Sequence, residues 1–94
     1  MSAEDMFEEL GYDLTYENDN VKKYLMAKHI PNRIDTKYIN FTEIEFALNG
    51  VKIGSWQTNA YIERIKTFDY TFLTQEELKA INKQVEELGW NNEL

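Results

Sequence analysis

Alternating apolar and polar residues on both sides of Asn49-Gly50 constrain the fold of this chain more than any other feature. The period of two predicts half-buried β-strands, and Asn-Gly is the preferred central pair of a type I′ hairpin turn. We therefore predict a hairpin over about residues 37–56, which substitution of Gly50 should disturb. Folding about this turn predicts three pairs on the buried face: Leu48 with Val51, Phe46 with Ile53, and Ile44 with Ser55.

The C-terminal part of the sequence predicts a helix at about residues 75–88. Thr74 and Glu77 have the spacing of a capping box, in which each side chain binds the backbone N–H of the other residue. Gly89 is placed to end the helix in the left-handed conformation. The expected buried face consists of apolar residues at helical spacing: Leu78, Ile81, Val85 and Leu88.

The N-terminal part predicts a shorter helix at about residues 2–10 by the same signals. Ser2 and Asp5 imitate a capping box, Phe7 and Leu10 supply an apolar face, and Gly11 ends the helix. After it, Tyr12, Leu14 and Tyr16 alternate with polar residues and predict a strand. Residues 21–30 fit either a strand or a helix, and the strand is favoured because aromatic and apolar residues alternate with lysines. Residues 61–72 also fit both, and we expect a strand there.

Together these elements predict one α+β domain over residues 1–94, a small antiparallel sheet of three to five strands with the N- and C-terminal helices packed on one face. The 94 residues suit a single domain, and a hydrophobic content of 43% is enough for a core. The sequence has no cysteine, which excludes disulfides and thiolate zinc sites. It has neither a membrane-spanning apolar run nor the features of a signal peptide, so we expect a cytoplasmic location.

Residue types that often carry catalysis are present, but not in the patterns that such sites require. His29 is the single histidine, and neither serine lies in a nucleophile motif. The glycines at 50 and 54 lack the spacing of a phosphate-binding loop. Two groups of carboxylates match neither a calcium loop nor a typical acid–base pair: Asp13, Glu17 and Asp19, and Glu43 with Glu45. We predict no enzymatic activity, no metal and no cofactor.

The net charge of −7 is unevenly distributed along the chain. Residues 1–20 carry −7, residues 21–73 carry +3, and residues 74–94 carry −3. The acidic ends fit either capped, soluble helices or a surface that meets a basic partner. In the basic middle, aromatic and cationic residues predict a partner-binding patch: Lys52, Trp56, Tyr61, Arg64 and Lys66. A sheet edge offers a second route, pairing with another copy in a homodimer.

The two ends of the chain, Met6–Tyr12 and Leu73–Trp90, resemble the opening and the C-terminus of small uncharacterised proteins from phages and prophages of Gram-positive bacteria. The middle of the chain, residues 13–72, is not part of this resemblance. The resemblance implies an accessory or host-modulating protein in the cytoplasm of a bacterial host, with no functional residues to transfer.

We therefore expect an accessory protein that acts through protein–protein interaction with a bacterial or phage protein. A first alternative is an acidic protein that imitates nucleic acid and inhibits a host defence or DNA-binding protein. A second is a weak nucleic-acid binder through the basic middle segment, which is less favoured because a charge of +3 is small for such a surface.

Overall fold

The computed structural model describes residues 1–29, 38–59, 67–68 and 72–90. These residues form α1 (Ala3–Glu9), β1 (Asp13–Glu17), β2 (Val21–His29), β3 (Tyr38–Ala47), β4 (Gly50–Asn59), β5 (Thr67–Phe68) and α2 (Gln75–Glu87). The strands are antiparallel and lie side by side in chain order. The predicted α+β class with a small antiparallel sheet is confirmed.

Both helices pack on one face of the sheet and enclose an aromatic core with it. Phe7 of α1 stacks on Tyr24 of β2 with ring centroids 4.1 Å apart, and Phe46 of β3 meets both rings edge-on. Ala80 and Ile81 of α2 belong to the same buried cluster. The helices therefore lie together over the middle of the sheet. We call the opposite side of the sheet the outer face.

Local hydrogen bonds end both helices as the sequence predicts. Capping boxes are present at Ser2 with Asp5 and at Thr74 with Glu77. Gly11 and Gly89 adopt φ values of 96° and 75°, in the left-handed region that favours glycine. Because these interactions join residues that are close in sequence, both ends of each helix could be predicted from the sequence.

The hairpin between β3 and β4 turns one residue earlier than predicted. Its central residues are Leu48 and Asn49, with φ values of 54° and 58°, and Gly50 has an ordinary φ. Phe46 therefore pairs with Val51, and the three predicted cross-strand pairs are wrong. The alternation is nevertheless preserved, because the register changes by an even number of residues. The observed pairs on the two faces are Ile44 with Ile53, Thr42 with Ser55, Glu45 with Lys52, and Phe41 with Trp56.

Cross-strand pairing explains the observed register. It places Ile44 opposite Ile53, lysine opposite glutamate, and the Phe41 ring in a stack with Trp56 at 5.7 Å. Such pairs contribute roughly 0.2–1 kcal/mol each. Several of them together offset the cost of holding one leucine, Leu48, in a left-handed turn. Leu48, predicted to be buried, is instead 97% exposed.

Two other predicted faces are also corrected. A bulge between Leu14 and Tyr16 turns the Tyr16 ring away from the core, so that it is 50% exposed and lies 5.7 Å from the Lys23 ammonium. On α2, Leu78 and Leu88 are exposed. The buried stripe of this helix is rotated and consists of Glu77, Ala80, Ile81 and Gln84, of which Glu77 and Gln84 are polar.

The ambiguous middle segments are partly settled. Residues 21–29 form a strand, as favoured from the alternation. Of the strand expected over residues 61–72, Thr67–Phe68 pair with β4; residues 61–66 and 69–71 lie outside the described part. Within the described helices, none is long and apolar enough to cross a membrane.

Candidate functional site

The predicted partner-binding patch is divided by the structure into a described and an undescribed part. Lys52 and Trp56 lie on β4 and point to the outer face. Tyr61, Arg64 and Lys66 lie outside the described residues, so the patch as a whole stays a prediction. The Trp56 ring is half-buried against Phe41. It also lies over Gly54, where an added Cβ would be 3.8 Å from the ring.

A row of alternating charges crosses the outer face next to this aromatic stack. Lys23, Glu45 and Lys52 are neighbours on three successive strands. The Lys23 ammonium lies 3.3 Å from the Glu45 carboxylate on one side, and Lys52 of β4 is the cross-strand partner of Glu45 on the other. The row holds two cations and one carboxylate, and a half-exposed ion pair of this kind contributes little stability. On the described part of the outer face, the Phe41–Trp56 stack thus lies beside a row of charges with a net value of +1.

Two buried hydrogen bonds join the sheet side of the core to α2. The Tyr12 hydroxyl donates to the Glu77 carboxylate, and the Tyr24 hydroxyl donates to the Gln84 side-chain oxygen over 2.6 Å. Burial, together with the bond to Glu77, raises the pKa of Tyr12 well above its ordinary value of 10.0. Burial and the Glu4 and Glu87 carboxylates raise the pKa of Tyr24 in the same way.

These polar groups are structural, because each is buried and has a hydrogen-bond partner. Glu77 also accepts the Thr74 backbone N–H over 3.0 Å, so that one carboxylate caps α2 and anchors Tyr12. The sequence contained a signal for this pairing: Glu77 and Gln84 lie on the same helical stripe as Ala80 and Ile81. A buried tyrosine requires such a partner for its hydroxyl.

The carboxylates considered for metal binding or acid–base chemistry lie on β1, in the β1–β2 turn and on the outer face of β3. Glu17 pairs with Lys22 over 3.4 Å, and Asp13 lies opposite Leu25 at the other end of β1. On the outer face, Glu43 lies between Leu25 and Gly54. In the part of the chain that the structure describes, no three metal-ligating side chains come together.

A cleft lies at one end of the sheet. It lies where the β1–β2 turn, the β3–β4 turn and the C-terminal end of α2 meet, and its volume is about 390 Å³. We call it the hairpin-end cleft. Its lining combines apolar and polar side chains: Val21, Phe46, Leu48, Leu88 and Trp90, with Asp19, Asn20, Lys22 and Asn49.

Local structure fixes the three walls of this cleft. The Asn18 side-chain oxygen accepts the N–H groups of Asn20 and Val21 and shapes the first turn. Gly89 turns the chain after α2 and brings Trp90 to Phe46, with ring centroids 6.3 Å apart. Leu48 projects from the second turn into solvent, and Leu88 is 40% exposed. Apolar surface is therefore concentrated at the rim.

Sequence reasoning missed this cleft because it assigned both leucines to the core. Leu48 was paired with Val51, and Leu88 was placed on the buried face of α2. The available signal was indirect: either Leu48 or Gly50 had to occupy a turn position, depending on the register. Only the cross-strand partners decide which residue does so.

The free edge of β1 does not favour the predicted homodimer. β1 is five residues long, contains a bulge, and presents Asp13 and Glu17. Short length, irregularity and charge are the features by which edge strands resist pairing with another chain. Pairing through this edge accordingly stays a prediction.

Comparison with protein-family models, with curated proteins and with solved structures found no match for this chain. Its likeness to phage and prophage proteins therefore stays a prediction from the two chain ends. Support for a function comes from the geometry and charge of the described residues.

Proposed function

We propose that this protein acts by binding another protein, without catalysis, and that the hairpin-end cleft is its docking surface. In keeping with the resemblance of its ends, we propose an accessory role in a phage or prophage, with a bacterial or phage protein as partner. The observation that supports this proposal is the state of Leu48. It is 97% exposed and has a left-handed backbone, with φ of 54°.

Both properties of Leu48 are unfavourable in the isolated protein. A left-handed conformation costs a residue with a Cβ about 1 to 2 kcal/mol, and turn positions of this type favour Asn, Asp or Gly. Full exposure of a leucine contributes nothing to the core. Backbone outliers of this kind concentrate at functional sites, and here the outlier stands beside an apolar cleft. A partner that covers Leu48 would recover its burial.

The neighbouring apolar side chains support the same role. Leu88 and Trp90 form the opposite wall of the cleft, so that a partner side chain in the cleft contacts three large apolar residues at once. Aromatic and aliphatic anchors around a pocket are typical of the energetic centre of a protein interface. Such a centre requires surrounding contacts to exclude water, which the polar rim supplies.

A pull-down with two matched leucine variants tests this proposal. Immobilised wild type, Leu48→Ala and Leu78→Ala are exposed to lysate of a Gram-positive bacterium, with and without nuclease, and washed at low and high salt. Leu78 is a suitable control because it is also exposed but lies near the other end of α2. We expect a nuclease-resistant protein partner that wild type and Leu78→Ala retain and Leu48→Ala loses.

Other outcomes of this experiment would contradict the proposal. Capture that is equal for all three proteins would exclude the cleft as the docking surface. Capture that does not depend on Leu48 and disappears at high salt would support an acidic protein that imitates nucleic acid. Material that is lost only after nuclease treatment would support nucleic-acid binding through the basic middle.

A further inference from the structure

The charges around the hairpin-end cleft indicate which kind of partner segment it would bind. Lys22 is the single cation of its lining, and its ammonium already lies 3.4 Å from the Glu17 carboxylate. Its side chain is also largely covered. Asp19, in the same rim, is exposed and forms no ion pair within the described ranges. With Glu17 counted beside Asp19 and Lys22, the charges at this rim sum to −1.

The end of α2 adds to this negative potential. Its last turn contains Glu86 and Glu87 and no basic residue, at the end where the helix dipole is already negative. Glu87 has a structural role, because it accepts the Ala3 N–H over 2.7 Å at the start of α1. Among the residues that the structure describes, Glu86 has the Lys83 ammonium at 3.9 Å as its one ion-pair partner, and both groups are exposed. Glu86 thus disfavours the helix and adds negative charge at the end of α2 that leads to Leu88.

We propose that the hairpin-end cleft binds a basic amphipathic segment of its partner protein. One apolar side chain of that segment packs between Leu48, Leu88 and Trp90, and flanking lysine or arginine side chains face Asp19 and Glu86. This inference rests on the proposed function and specifies the chemistry of the partner. Charge complementarity supports it: the lining contains the Asp19 carboxylate, Glu86 lies in the last turn of the helix that leads to Leu88, and the cation of the lining is already paired.

Model peptides and the two tryptophans test this inference directly. Three short peptides of equal length are titrated into the full chain: one of lysine and leucine, one of glutamate and leucine, and one of lysine and serine. Binding is followed by the NMR signals of the two indole N–H groups. Trp90 lines the cleft and Trp56 lies on the outer face, so each signal reports one surface.

We expect the lysine–leucine peptide alone to shift the Trp90 signal, and to leave Trp56 unchanged. Equal binding of the glutamate–leucine peptide would overturn the charge argument. Equal binding of the lysine–serine peptide would show that charge is sufficient, and would overturn the apolar anchor. A shift confined to Trp56 would transfer the binding site to the outer face and overturn the inference.

A matched pair of charge variants completes the experiment. Asp19→Asn with Glu86→Gln should weaken binding of the lysine–leucine peptide by about threefold to tenfold at low salt. The control, Glu8→Gln with Glu9→Gln on α1, removes the same number of charges and should have little effect. Equal weakening by both variants would mean that only the overall net charge matters, and would overturn the inference.

The inference and the proposed function fail in different ways. If Leu48→Ala abolishes capture of a protein partner, but the charge variants and salt leave that capture unchanged, the docking surface stands and the basic partner is wrong. If Leu48→Ala affects neither lysate capture nor peptide binding, the docking surface itself is wrong.

Discussion

Replacing Leu48 with asparagine should make the protein more stable, although it removes a large hydrophobic residue. Leu48 occupies the first central position of the β3–β4 turn with φ of 54°. The left-handed region costs an ordinary L-residue about 1 to 2 kcal/mol, whereas asparagine enters it readily. The side chain is 97% exposed, so its removal forfeits almost no burial.

The expected gain in the free energy of unfolding is therefore about 1 kcal/mol. For a domain of this size, that gain corresponds to a rise in Tm of roughly 4–8 °C. Thermal and urea unfolding followed by circular dichroism measure both quantities. If the proposed function is right, the same variant should lose partner capture, so that stability and binding change in opposite directions.

Two control variants separate backbone strain from the leucine side chain. Leu48→Ala keeps a Cβ in the same conformation, so its stability should stay close to that of wild type while partner capture is lost. Gly50→Ala should be tolerated, because its φ is ordinary and the added Cβ meets the Ala47 carbonyl oxygen at 3.6 Å. This outcome is opposite to that expected from an Asn49-Gly50 turn. Asparagine and alanine variants of equal stability would refute the strain argument, and marked destabilisation by Gly50→Ala would refute the observed register.

Three further predictions concern the core and the cap of α2. Glu77→Gln should lower the free energy of unfolding by about 1 to 3 kcal/mol, because the single side-chain oxygen of glutamine replaces two carboxylate oxygens, one accepting the Tyr12 hydroxyl and the other the Thr74 N–H. The control Glu76→Gln, on the exposed side of α2, should change the free energy of unfolding by less than about 0.5 kcal/mol; urea unfolding measures both. Gly89→Val should cost more than about 1 kcal/mol because a β-branched residue resists a φ of 75°; among the described residues no atom lies within 4 Å of the added Cβ, so the cost comes from the backbone, and an unchanged Tm would contradict the cap. Stability should also fall as the pH rises above 10.0, the ordinary tyrosine pKa. The unfolded chain then releases protons that the raised pKa values of Tyr12 and Tyr24 retain in the folded state, which costs about 1.4 kcal/mol per tyrosine and pH unit. A Tm that stays flat from pH 9 to 11 would contradict the burial of both hydroxyls.

The sequence alone determined those features that depend on neighbours along the chain. Capping boxes, left-handed glycines and the strand period involve residues within a few positions of one another, and their energies favour the same conformation in any tertiary setting. Thr74 with Glu77 and the glycine at 89 illustrate this, since both act as predicted. The α+β class follows from the order of these elements.

Tertiary structure decided which residues face which partner. The turn at Leu48-Asn49 results from cross-strand pairs such as Phe41 with Trp56, which lie far from the turn in sequence and offset its strain. Glu77 is buried because Tyr12, distant along the chain, brings a hydroxyl to it. The hairpin-end cleft likewise exists only where three separate chain segments meet. Local propensity depends only on residues that are near in sequence. The candidate binding surface could therefore be identified only from the folded structure.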